Sequence, residues 1–245
     1  MRVVIHQPNY LPWIGFFSKL SLCDTFVIMD SVEFPNRGII HRNKIRMQKG
    51  WDWLTIPIEK KYIGKRIDEV RLPSDPSWIK KHWVALIANY SKTPYFQDHK
   101  QQLYDIYYRN PQVTHLRDLN EEFIRYIADF YHIRPKFVRT SEINLDYSKK
   151  KTDFIVDILE AVGCTQYYSG TGGAKEFLDE RQIIQAGIQL FFTRVTPIQY
   201  PQRWPGFEPY MSCVDLLCNL DRQEGRKILD SMHHESPADS NTNAG

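Results

Sequence analysis

The chain has 245 residues, 42% hydrophobic and 25% charged, with 32 basic and 29 acidic residues leaving a net charge of +3. This composition excludes fibrous and wholly disordered chains, and charge so evenly spread gives no strong attraction to nucleic acid or anionic lipid. With no run of about 18 apolar residues, and no apolar core or small-residue cleavage site in MRVVIHQPNY, neither a membrane span nor a signal peptide is expected, which points to the cytoplasm.

Arg2 to Ile5 are mainly β-branched and break at His6, as a short buried parallel strand does before a polar loop. The loop HQPNYLPW follows, then a helical spacing of Phe16, Phe17, Leu20 and Leu22, then a second apolar run from Thr25 to Met29. This β-α-β order predicts that His6 and Asp30 leave the same edge of a parallel sheet, where open α/β folds bind ligands. Phe34 to Gly50 is a polar, basic loop, and Trp51 to Ile58 a strand candidate. Helical periodicity over Ser77–Tyr90, Tyr95–Tyr108 and Asp118–Tyr131 predicts an insertion or cap around residues 75–132. Beyond Lys136–Arg139 the alternation resumes: helix Thr152–Val162, strand Thr165–Tyr168, helix Ala174–Ala186, strand Ile188–Phe192 and a closing helix Met211–Leu220.

These elements predict an α/β fold with a parallel-sheet, Rossmann-like core. It occupies a single domain over residues 1–234, a size that supports a substantial core. Residues 235–245, ESPADSNTNAG, are polar and without periodicity, and a disordered tail is expected there. His233-His234 beside that tail is given no role. Cys23, Cys164, Cys213 and Cys218 form no CxxC pair and stand in apolar surroundings, so buried, reduced thiols are expected.

Three segments carry candidate chemistry. In the first loop Pro8 and Pro12 restrict the backbone, so His6, Gln7, Asn9 and Tyr10 can be held ready for a ligand at little entropic cost. The bland alternative has these side chains satisfying buried backbone groups. In the basic loop, Asn36, Arg37, His41, Arg42, Asn43 and Lys44 lie beside Trp51 and Trp53. Guanidinium groups there match a diphosphate, although a solvated charge run has the same composition. The third segment, Ser169, Gly170, Thr171, Gly172 and Gly173, joins a predicted strand to a predicted helix, where backbone amides can meet an anion; a tight turn that needs glycine reads the same way. It matches neither the Walker nor the GxGxxG pattern. Asp215, on an otherwise apolar helix face, needs a buried partner, whether it orients a site residue or packs a helix.

The order strand, PNYLPWIGFF, helix, DTFVIMD is similar to the first unit of nucleotidylyltransferases. Gly15 stands near the glycine of their HxGH element, but Trp13 and Phe16 stand where its histidines would be. That likeness speaks for a nucleotide-binding fold more than for the reaction.

Taken in order, HQPNYLPWIGFFSKL, SVEFPNRGIIHRNKIR, WDWLTIPI, NYSKTPYF, DLNEEFI, YYSGTGGAKEFLD, QAGIQL and FEPYMSCVDLLCNL resemble the WbqC-like family across nearly the whole chain. Asn219-Leu220-Asp221 departs from the glycine the family usually carries there. The resemblance implies bacterial polysaccharide, O-antigen or specialised-metabolite biosynthesis, acting on a nucleotide-linked or amino sugar. The expected activity is transfer of a small acyl or aminoacyl group. His6 would be the general base, Asn9 and Tyr10 would place the acceptor, Asp30 would stand in the same site, and Arg37 and Arg42 would hold the diphosphate. Here the ligand is a nucleotide or nucleotide sugar and no metal is required. The alternative, an ATP-using ligase or nucleotidyltransferase, calls for magnesium on Asp30 and Glu33. A third reading is a non-catalytic sugar-nucleotide-binding protein.

Overall fold

A computed structural model describes residues 1–110, 112–172 and 178–238. The chain opens with β1 (Arg2–His6), α1 (Ile14–Leu20) and β2 (Thr25–Ile28). An antiparallel hairpin follows, β3 (Arg42–Arg46) and β4 (Trp51–Thr55), then the helices α2 (Ser77–Tyr90), α3 (Phe96–Tyr108) and α4 (Leu116–Phe130). The remainder runs β5 (Lys136–Arg139), α5 (Lys151–Ala161), β6 (Gln166–Gly170), α6 (Glu180–Gln185), β7 (Gln189–Val195), α7 (Cys213–Asn219), α8 (Arg222–Ser231) and β8 (His233–Pro237).

The main sheet has six strands in the order β5-β2-β1-β6-β7-β8, parallel except at β8, so the fold is α/β as expected. The winding reverses between β1 and β6, and that reversal leaves a crevice outside the carboxyl ends of the two strands. Alternate residues serve the two faces. Val4, Phe26, Tyr168 and Phe191 pack on Phe17 and Leu20 of α1 and on residues of α7 and α8. Val3, Ile5, Val27, Leu190 and Phe192 pack on Ile158, Leu159 and Ile183 of α5 and α6.

The hairpin and α2–α4 gather round a further apolar core that includes Ile45, Leu54, Trp83, Leu86, Leu103, Leu116 and Phe123. Tyr10 and Leu11, in the loop after β1, belong to that core and not to the sheet. The same loop therefore joins the two halves. Gly15 is needed in α1 because an added Cβ would overlap the Trp13 indole, which lies across it.

Three expectations from the sequence are corrected. Glu235 to Pro237 are not part of a tail: they lie in β8 and pair with Thr193, Phe192 and Phe191, because an edge strand is held by backbone hydrogen bonds that polar residues supply as well as apolar ones. His233 begins that strand, and its Nδ1 lies 3.1 Å from Ser18 Oγ. The strand predicted to stop at Tyr168 continues through Ser169 and Gly170, which pair with Phe192 and Thr193. Of the helix predicted over Ala174–Ala186, Glu180–Gln185 is seen; Gly173 and the residues to 177 lie outside the described residues. Among the described residues no helix is long and apolar enough to cross a membrane.

Candidate functional site

A cleft of about 700 Å³ lies at the carboxyl ends of β1, β6 and β7, at the reversal in winding. His6 and Gln7 line it from β1, and Ser169, Gly170, Thr171 and Gly172 from β6. Trp13 and Lys19 enter from α1, and Thr193 from β7. Two segments singled out in the sequence, the His6 loop and the SGTG turn, thus line one site at the ends of neighbouring strands.

His6 is half-buried, with its ring edge-on to Phe16 at 4.9 Å, and its Nδ1 donates to the Gln7 carbonyl over 2.9 Å. Burial first, and the Lys19 charge second, lower its pKa to about 3, so the imidazole is neutral at pH 7 with Nε2 left as the proton acceptor. Burial likewise lowers the Lys19 ammonium to about 8. Lys19 is the one charged side chain among the described residues that line the cleft, and no carboxylate among the described residues pairs with it. Its Nζ rests over Gly170, 3.4 Å from where a Cβ would stand.

The cleft also holds incomplete hydrogen bonding. Ser169 and Thr193 are each 2% exposed, and the Thr193 hydroxyl has no hydrogen-bond partner among the described residues. Tyr167, two residues before Ser169 and on the same face of β6, has its pKa raised to about 12 by burial, with hydrogen bonding from the nearby Ser169 hydroxyl opposing the rise.

Other expected site residues lie elsewhere. Tyr10 is fully buried in the core of the hairpin and α2–α4, its hydroxyl bonded to His82 Nδ1 at 2.8 Å and to the Tyr107 hydroxyl. Asn9 is 1% exposed and does not line the cleft. Asn43 donates its amide to the Leu11 carbonyl at 2.8 Å and the Tyr10 carbonyl at 3.3 Å, steadying a backbone in which Leu11 takes a φ of +40°, unusual for a branched side chain. Asn36 and Arg37 are exposed in the loop before β3, outside the lining of the cleft. Arg42 is also outside it, donating from Nε to Gly38 O over 3.0 Å and stacking its guanidinium on Trp53 at 4.5 Å.

Asp30 leaves the same sheet edge as His6 but turns away into a saturated network. Its Oδ1 accepts from Thr140 Oγ1 and the Ser141 amide, both at 2.9 Å; Oδ2 accepts from Ser141 Oγ at 2.6 Å and Arg117 Nη1 at 3.0 Å. A carboxylate so occupied does not fit a magnesium site. Asp215 is buried beneath Tyr200 and Gln202, which each donate to its Oδ2 over 2.8 Å, and burial raises its pKa to about 6. The four cysteines are free and buried.

Sequence reasoning missed Lys19 and Thr193. A signal for Lys19 was present: it stands three residues after Phe16, on the apolar face of the helix, and the structure buries Ile14 to Ser18 and Leu20 around it.

No solved structure matches the chain. The sequence is 32% identical over 222 residues to the uncharacterized protein Rv1507c of Mycobacterium tuberculosis, covering 89% of this chain and 94% of that relative. Residues 7–227 match the WbqC-like protein family, a span that contains nearly all of the cleft, the hairpin and the helices between β4 and β5. The chain belongs to the WbqC-like protein family.

Proposed function

We propose that this chain is a transferase of bacterial polysaccharide, O-antigen or specialised-metabolite biosynthesis, moving a small acyl or aminoacyl group onto a nucleotide-linked amino sugar. The observation that carries the reading is the cleft at the winding reversal, with a neutral imidazole in its wall and a volume of about 700 Å³, which is ample for such a ligand. Transfer forms a bond from the acceptor nitrogen to the donor carbonyl carbon and breaks the bond from that carbon to the leaving group. The acceptor's proton passes to His6 Nε2 and from there to the leaving group. In the free protein His6 is a weak base. An anionic ligand paired with Lys19 removes the second cause of its depressed pKa and strengthens it. The saturated hydrogen bonding of Asp30 speaks against the magnesium-dependent alternative.

The test is a screen of nucleotides and nucleotide-linked amino sugars by thermal shift, where ligand at 100 times its Kd stabilises by roughly 2.7 kcal/mol. Donor thioesters are then added to the sugars that bind, and mass spectrometry reads the gain of an acyl group. His6→Asn is expected to keep binding and lose about 10²- to 10⁴-fold in turnover. Unimpaired turnover would remove His6 from the reaction. Binding without turnover would leave a sugar-nucleotide-binding protein, and binding of no nucleotide sugar would sink the reading.

A further inference from the structure

We infer that the cleft contains a phosphate-binding site made by the Lys19 ammonium over Gly170 and the hydroxyl of Thr193, and that this site, not the Arg37 and Arg42 loop, holds the diphosphate. The diphosphate half rests on the proposed function; the phosphate half rests on the cleft itself.

Charge is the first ground. Half-burying an ammonium costs free energy that a partner must offset. Most charged groups in this protein's interior have such a partner: Arg117 has Asp30 and Asp118, and Arg139 has Glu121. Lys19 has no carboxylate among the described residues, and the described lining of the cleft holds none. A ligand complementary to such a cleft is an anion.

Shape is the second. Gly170 has no side chain between Nζ and the strand, and around Gly172 an added Cβ would meet nothing within 4 Å among the described residues, so an anion's oxygens can approach both the ammonium and the backbone. Neither glycine takes a positive φ, so backbone conformation does not explain them. Hydrogen bonding is the third ground. Thr193 stands across from Gly170 in β7, on the face of the sheet that α1 covers, and carries a buried hydroxyl with no partner among the described residues. Buried polar groups are ordinarily satisfied, and those left open at a cleft wall suit a ligand rich in acceptor oxygens. By contrast, Arg42 is already committed to Gly38 and Trp53.

Calorimetry on the full chain with inorganic phosphate, pyrophosphate, UDP and uridine tests this. The three phosphate-bearing probes are expected to bind, more weakly as salt rises, and uridine is not. Lys19→Met keeps most of the aliphatic stem and should weaken pyrophosphate and UDP by at least about tenfold, whereas Arg42→Ala should leave them unchanged. If Lys19→Met does not fold, Gly170→Ala fills the space beneath the ammonium at an ordinary backbone conformation and should weaken the same probes. Binding of none of these probes, equal affinity in wild type and the Lys19 or Gly170 variant, or loss confined to Arg42→Ala would overturn the site. Pyrophosphate binding through Lys19 without any UDP or sugar-nucleotide binding would keep the phosphate site and sink the proposed function. Sugar-nucleotide binding indifferent to Lys19 would do the reverse.

Discussion

Asp30 and Lys19 are both charged groups carried inward by the first β-α-β unit, and they end differently. The Asp30 carboxylate receives hydrogen bonds from Thr140, Ser141 and Arg117, all supplied by the chain more than 80 residues later. Lys19 faces a cleft where the buried Thr193 hydroxyl stands open and no described carboxylate answers it. A polar group whose partners are complete within the chain is part of the scaffold. One whose partners are missing, at the end of a parallel strand, marks where something else binds.

The largest effect should come from breaking the complete site. Asp30→Ala takes the acceptor from the Thr140 and Ser141 hydroxyls and leaves the Arg117 guanidinium with Asp118 alone, and is expected to cost about 3–5 kcal/mol in urea unfolding. A cost under about 1 kcal/mol would show that the network is not what holds β2 to the segment after β5, and the contrast with Lys19 would fail.

Asp215 sharpens the comparison, because it has donors yet its pKa is still raised to about 6 by burial. The folded state holds this proton more tightly than the unfolded chain, whose aspartates titrate near 4. Its contribution to stability is therefore fully present below about pH 4 and is lost as pH rises to about 6. A shift of about 2 pKa units corresponds to roughly 3 kcal/mol. Asp215→Asn stays neutral throughout, so it should gain on the wild type by about that amount between pH 4 and pH 7. Parallel urea midpoints across that range would mean that Tyr200 and Gln202 satisfy the carboxylate as fully as Asp30 is satisfied.

Tyr10→Phe is expected to cost about 1–3 kcal/mol, by leaving His82 Nδ1 and the Tyr107 hydroxyl without their shared partner in the second core. A variant as stable as wild type, but with altered ligand binding, would return Tyr10 to the site.

The contrast also explains what the sequence could and could not convey. The β-α-β order, His6 at a strand end and the SGTG turn were legible because periodicity and a polar break are local signals. Whether a strand-end polar residue is already satisfied is not local. Asp30 is closed by Thr140 and Ser141, Tyr10 by His82 and Tyr107, and the roles of Asn43 and Asn120 depend on carbonyls of the first loop and Ile40. Read alone, Tyr10, Asp30 and Asn43 looked like the same chemistry as His6. Lys19 was overlooked for the converse reason: a lone lysine in a short helix passes for a surface residue, although three residues after Phe16 it falls on the apolar face, and the packing around α1 confirms that place.

The smallest expected change in stability is also a strict test of the contrast. Thr193 is buried in β7 opposite Gly170, and its hydroxyl has no partner among the described residues. Valine keeps the β-branched shape that suits a strand and removes the hydroxyl. A buried hydroxyl with nothing to bond has already lost its water without recompense, so deleting it should leave stability within about 0.5 kcal/mol of wild type or raise it. The same substitution should weaken pyrophosphate, because the cleft loses one donor to the anion. Urea unfolding and calorimetry on one preparation separate the two effects. If Thr193→Val lost more than about 1 kcal/mol of stability and bound pyrophosphate as well as wild type, the hydroxyl would have its partner within the folded chain, and the floor of the cleft would belong with Asp30.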